Sequence, residues 1–170
     1  MNISDTIRQL PSTAKPLPPD QSWHLDILIG NAAMTQGHLP DSEQAYLRSI
    51  ERAETLLNSA HQELNNTYLE TIHLYVISCT NLGNLYQQWQ RWDRAEAILL
   101  QGHQRTISTL NMVELPVAWR WQAMLALREL MMQVSSFYSE APSAQPTETL
   151  FAQTQTYIQN FLNYLEETQA

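Results

Sequence analysis

Apolar side chains recur along this chain at spacings of three and four, the pattern of helices buried on one face. Trp23, Ile27, Gly30, Ala33 and Met34 mark a first helix over about Gln21 to Gln36. Gly37-His38-Leu39-Pro40-Asp41 breaks it. A proline followed by Asp41 and Glu43 suits the first turn of a second helix, where a missing N–H costs nothing and carboxylates meet the positive helix end. That helix runs on through Ala45, Tyr46, Ser49, Ile50, Ala53, Leu56, Leu57 and Ala60, with a break expected from His61 to Asn66 and a cap at Asn65 or Asn66. Leu69, Ile72, Val76, Cys79, Leu82, Gly83 and Tyr86 form the most regular stripe. A fourth helix starts near Trp92-Asp93 and carries Ala95, Ile98, Leu99, Gly102 and Ile107. Asn111 and Pro116 bracket the start of a fifth, with Val117, Trp121, Met124, Leu127, Met131 and Val134 as its apolar positions. After Ser139 to Pro146, a sixth carries Leu150, Phe151, Thr154, Tyr157, Ile158, Phe161, Leu162 and Leu165.

Six helices joined mostly by short turns pack as antiparallel neighbours, so the fold class is all-α. The expected organisation is an N-terminal arm over residues 1–20 and one helical domain over 21–170, with helix pairs at about 21–61, 66–110 and 115–168. The arm ends in Lys15-Pro16-Leu17-Pro18-Pro19-Asp20, where prolines remove backbone donors and disfavour helix. Pro16-x-x-Pro19 has the spacing of a polyproline ligand, and a plain linker explains it equally.

Composition agrees. The chain has four glycines, and seven of its eight prolines lie before residue 41 or between Pro142 and Pro146, which leaves long segments free for helix. The net charge is -8 and Lys15 is the only lysine, so no basic face exists to neutralise phosphates or an anionic bilayer. Nucleic acid and membrane are therefore not expected partners. Cys79 is the only cysteine, which excludes an internal disulfide. The start of the chain lacks the basic and apolar blocks of a signal peptide, and no apolar run is long enough to span a bilayer. A cytoplasmic protein is expected.

Two segments share a register. Ile29-Gly30-Asn31-Ala32-Ala33 is followed by Gly37, Ser42, Tyr46 and Ser49, and Asn81-Leu82-Gly83-Asn84-Leu85-Tyr86 by Ala95, Leu99 and Gly102. Twelve residues separate Gly30 from Ser42 and Gly83 from Ala95, and sixteen separate Gly30 from Tyr46 and Gly83 from Leu99. Over about residues 21–110 the chain resembles the tetratricopeptide repeat family of helix-turn-helix pairs, down to the Trp92-Asp93-Arg94-Ala95 stretch at the inter-helix turn. The resemblance implies a short α–α superhelix. In it Gly30, Gly83, Ala95 and Gly102 allow close helix approach, and Tyr46, Tyr86 and Leu99 fill the space between. It departs in the 53 residues from Gly30 to Gly83, against a family repeat of about 34, and in the fifth and sixth helices, which lack the glycine and tyrosine. A plain six-helix bundle is the competing reading.

The family binds peptides or partner helices in a groove lined by the first helix of each pair. Carried over, this points to Asn31 and Asn84, each one residue after a glycine, and to Asn81. The lysine clamp of the family's chaperone-binding members has no counterpart here. Trp119 and Trp121 cannot share a helix face, so one should look outward; Trp119 joins the candidate partner-binding residues. Chemistry has few footholds. Glu70-x-x-His73 places two potential metal ligands on one face, but di-iron bundles need a second such pair, and none occurs. His24, His38, His61, His73 and His103 lack ligand spacing, and no phosphate loop or nucleophile motif is present. No catalytic residues, metal or cofactor are assigned. The expected function is a protein-interaction module, with a metal-binding or enzymatic bundle at Glu70 and His73, or a structural homo-oligomer, as alternatives.

Overall fold

A computed structural model describes residues 19–63, 70–142, 146 and 148–169, and among them the protein is all-helical with no strand. The helices are α1 (Pro19–Thr35), α2 (Leu39–Glu63), α3 (Thr71–Gln88), α4 (Trp92–Asn111), α5 (Val117–Glu140) and α6 (Glu148–Gln169). The expected cap at Asn65 or Asn66, the start of the third stripe at Leu69, and the arm through Pro18 lie outside the described residues. Pro19 itself opens α1, where its fixed φ is an asset.

Consecutive helices pack from α1 to α5, α3 also packs on α5, and α6 lies against α4. This order is compatible with a repeat-like superhelix. The turns of the first two pairs are built alike. Gly37 N–H donates to the Met34 carbonyl and His38 N–H to that of Ala33; 53 residues on, Gln90 N–H donates to Gln87 and Arg91 N–H to Tyr86. This is the Schellman closure of a helix end, which needs a left-handed residue at its hinge. Gly37 supplies it at φ 75°, and Gln90 adopts it at φ 59° despite its side chain.

What separates the paired helices is one side chain. A Cβ on Gly30 would lie 2.5 Å from Cε1 of Tyr46, and one on Gly83 would lie 3.1 Å from Leu99. Gly102 on α4 is flanked by Cys79 of α3 and Leu130 of α5. Around these contacts the core gathers Trp23, Ile27, Leu57, Leu82, Leu99, Leu127, Phe137 and neighbours. Polar side chains pin the layers together. Asp26, buried on α1, receives Arg48 at 2.9 Å and Arg52 at 2.5 Å from successive turns of α2. Trp23 Nε1 donates to Ser78 Oγ at 2.8 Å, joining α1 to α3. Glu43 of α2 accepts from Tyr86 Oη and Arg94, tying α2 to the second pair.

The last helix is held differently. Buried Arg120 donates from Nε to the Leu110 carbonyl at the end of α4, while its guanidinium lies 4.8 Å from the Phe161 ring and 4.7 Å from that of Tyr164. It satisfies a helix-end carbonyl and offers α6 two cation–π contacts. His103 Nε2 meets Thr154 Oγ1 at 2.7 Å inside the α4–α6 seam. Thr154 commits its own proton to the Leu150 carbonyl, so the neutral imidazole donates.

Two outcomes follow from these contacts. Gly30→Ala should cost about 1–2 kcal/mol in chemical denaturation, because the Tyr46 ring is buried and fixed and overpacking outweighs the gain in helix propensity. Gly83→Ala should stay within about 0.5 kcal/mol, since the end of Leu99 can yield by a few tenths of an ångström. Burial pushes the pKa of His103 below its ordinary 6.5. Its neutral form is then fully compatible with folding above pH 6.5, and stability is lost as the pH falls below that value, where the unfolded chain takes up the proton first. The melting temperature should therefore drop between about pH 7 and 5, and less steeply in His103→Gln, which donates to Thr154 without titrating.

Candidate interaction surface

The helices divide into two kinds by what they show to solvent. α2 and α4 present charge: Arg48, Glu51, Arg52 and Glu54 on the first, Asp93, Arg94, Glu96 and Arg105 on the second. α1, α3 and α5 present large apolar groups instead. Leu25, Leu28, Ile77, Val117, Trp121 and Met132 are exposed there, from 40% for Ile77 to 65% for Met132. α2 exposes only Leu47, and α4 exposes no large apolar side chain.

Burial shows how these three helices correspond. The buried positions Thr71, Ile72, Tyr75, Val76, Ser78, Cys79, Leu82 and Tyr86 of α3 recur 48 residues later as Trp119, Arg120, Ala123, Met124, Ala126, Leu127, Leu130 and Val134 of α5. The 53-residue offset likewise carries Trp23, Asp26, Gly30 and Ala33 of α1 onto Val76, Cys79, Gly83 and Tyr86. The outward positions then fall into rows. His24, Ile77 and Leu125 correspond, as do Leu28, Asn81 and Glu129, and Asn31, Asn84 and Met132. Side chains join α3 to α5 along this face: His73 Nε2 meets Gln122 Oε1 at 2.9 Å, and its Nδ1 lies 3.4 Å from Glu129.

Asn31 and Asn84 are both exposed and Asn81 is half-buried. They are not equivalent in bonding. Asn31 Oδ1 accepts from the Tyr46 hydroxyl at 2.6 Å, which binds this amide to the packing of the first pair. Asn84 Oδ1 accepts only a long 3.4 Å contact from Gln87 on its own helix. Among the packing residues, Tyr46, Ala95 and Leu99 are buried to 2% exposure or less, and Tyr86 keeps its hydroxyl on Glu43.

Trp119 requires correction. It is 1% exposed, set edge-on against His61 with ring centroids 5.4 Å apart, and cannot anchor a partner; Trp121 is the tryptophan that faces outward. Val117 is likewise exposed rather than part of the inward stripe. The inward arc of α5 runs through Trp119, Ala123, Ala126 and Leu130, because α3 and α4 grip this helix from two sides and rotate its apolar centre. Leu28, Ile77 and Met132 escaped sequence reasoning, although each is a large apolar residue lying off its helix's inward stripe, which is the signal that finds them.

The remaining chemistry is sparse. Glu70 lies exposed before α3, and no ion pair or hydrogen bond joins its carboxylate to His73, whose ring is engaged by α5. Among the described residues no three of His, Cys, Asp and Glu converge as metal ligands. Burial pushes the Cys79 thiol up to about 12, far from a reactive thiolate. No helix among the described residues is long and apolar enough to cross a membrane.

The two asparagines should separate in stability measurements. Asn31→Ala removes the Tyr46 partner and should cost about 1 kcal/mol, while Asn84→Ala should stay within about 0.5 kcal/mol. Equal effects in urea denaturation would show that the Tyr46 bond contributes nothing.

Comparison with known proteins finds no match among curated proteins or solved structures. A family model described as a protein of unknown function, DUF2753, matches residues 21–168, nearly all of the described helices. The chain belongs to the DUF2753 family.

Proposed function

We propose that this protein is an interaction module of tetratricopeptide-like build, without catalytic activity, that holds a peptide or partner helix on the α1/α3/α5 face. One observation carries the reading. Of eleven exposed large apolar side chains among the described residues, six lie on these three helices and none on α4. Scattered apolar side chains need no explanation, but a concentration on one set of corresponding helices marks a surface that leaves water.

The chemistry of the face says what it would take. Leu28, Ile77, Trp121 and Met132 offer apolar area, and Asn81, Asn84 and Gln122 offer amides that both donate to and accept from a peptide backbone. Methionine and tryptophan suit an adaptable site with one aromatic anchor. The fitting partner is a segment bearing two or three large apolar side chains. The two turns of identical hydrogen bonding, 53 residues apart, support the repeat-like build. A cytoplasmic setting is part of the proposal, in keeping with the single, buried thiol of Cys79.

Peptides selected from a displayed random library on the immobilised chain test the reading. Bound peptides should lose at least tenfold in affinity, about 1.4 kcal/mol, on Ile77→Asp or Met132→Asp, with Leu47→Asp on α2 unaffected. A library that yields no binders, or peptides indifferent to both substitutions on this face, would overturn it.

A further inference from the structure

α6 combines two properties that conflict in a helix meant to face water alone. Its described residues include only two buried positions, Thr154 and Phe161, whereas α3 buries ten. Yet from Thr149 to Leu165 it carries no charged residue. α3 is nearly as neutral, and its burial accounts for that. α6 has no such account: the exposed surface of α2 in the same chain carries Asp41, Glu43, Arg48, Glu51, Arg52 and Glu54.

The geometry of this helix is specific. Thr154, Ile158, Phe161 and Leu165 face α4 and α5, while Ala152, Thr156, Gln159 and Asn163 follow at spacings of four, three and four along the opposite side, all exposed. Phe151 and Tyr157 are exposed on the flanks. Between Arg128 and Met131 of α5 and Phe151, Gln155 and Ile158 of α6 lies an open cleft of about 440 Å³. It is wide enough to receive an aromatic side chain.

We infer that α6, with the adjoining edge of α5, is the surface through which two copies of this chain form a two-fold dimer. Charge selects the occupant. A basic or acidic partner would be read by charges of the opposite sign, and the face has none from Thr149 to Leu165. A two-fold axis sets residues against their own copies, where any charge would meet itself. Threonine, glutamine, asparagine and tyrosine escape that penalty because each both donates and accepts hydrogen bonds. Two chains of net charge -8 repel each other, and this face brings them together with the least repulsion.

The area is adequate. A 22-residue helix is about 33 Å long, and a strip of that length two helices wide covers roughly 650 Å² per copy, within the range of stable interfaces. The second helix width is supplied by α5, which brings the cleft into the interface. An exposed aromatic of the other copy, Phe151 or Tyr157, is the group that would enter it.

Sedimentation equilibrium of the full chain tests the dimer. Wild type should show twice the chain mass at micromolar concentrations. Thr156, at the middle of the outward stripe, lies near the axis. Thr156→Glu and Thr156→Arg should each raise the dissociation constant at least tenfold with unchanged circular dichroism, and an equimolar mixture of the two should dimerise again. Leu47→Glu on α2 should leave the dimer intact. A wild type that stays monomeric at high micromolar concentration, including one that binds only a different protein through α6, overturns the inference. So does a dimer that survives both Thr156 variants, or a mixture that fails to reassociate.

Discussion

Two helices can approach only as closely as the largest side chain between them permits, and in this protein a glycine sets that distance in each of the first two pairs. Gly30 gives the Tyr46 ring its place, and Gly83 does the same for Leu99. Seven residues after each glycine, a left-handed residue closes the helix and turns the chain back, Gly37 in one pair and Gln90 in the other. The turn fixes the angle and the glycine fixes the separation. With both set, Trp23 can reach Ser78 and Glu43 can reach Tyr86 and Arg94, contacts that join one pair to the next. Those bonds span 55, 43 and 51 residues of sequence, so none could form from local structure alone.

The same packing decides what remains open. α3 touches α2, α4 and α5, which consumes most of its circumference and leaves a narrow strip around Ile77, Asn81 and Asn84. α2 and α4 can spend their outer faces on charge, which solvates cheaply and keeps like surfaces apart. An apolar side chain on the strip of α1, α3 or α5 therefore stands out against a charged background. A single Leu28 or Met132 would mean little. Their recurrence on corresponding helices turns exposure into a surface.

The sequence made legible what local spacing determines. Glycine positions, the distances of twelve and sixteen residues to their packing partners, and the proline at the start of α5 all act within one helix pair, and periodicity reads them directly. The orientation of α5 was not legible in this way. Trp119 and Trp121 both satisfy a helical stripe, and only the presence of α3 on one side and α4 on the other selects the arc through Trp119. Asn31 had a similar ambiguity: its exposed amide looks free in sequence, and only the fold brings the Tyr46 hydroxyl to it. Residues with two competing neighbours are where one-dimensional patterns lose their power.

The third pair shows what happens without the glycine device. α5 ends at Glu140 and α6 begins at Glu148, with Pro142 and Pro146 between them in place of a two-residue Schellman closure. Met131 stands where Gly83 stands in α3, so α6 has no room to nest against α5 as α4 nests against α3. It settles on α4 instead, fastened by Arg120 beneath Phe161 and Tyr164 and by His103 beneath Thr154. The space left beside α5 is the cleft above Met131, while the next residue, Met132, faces the strip shared with α1 and α3. One helix thus borders both open surfaces of the molecule. The loss of a single small residue accounts for the second of them.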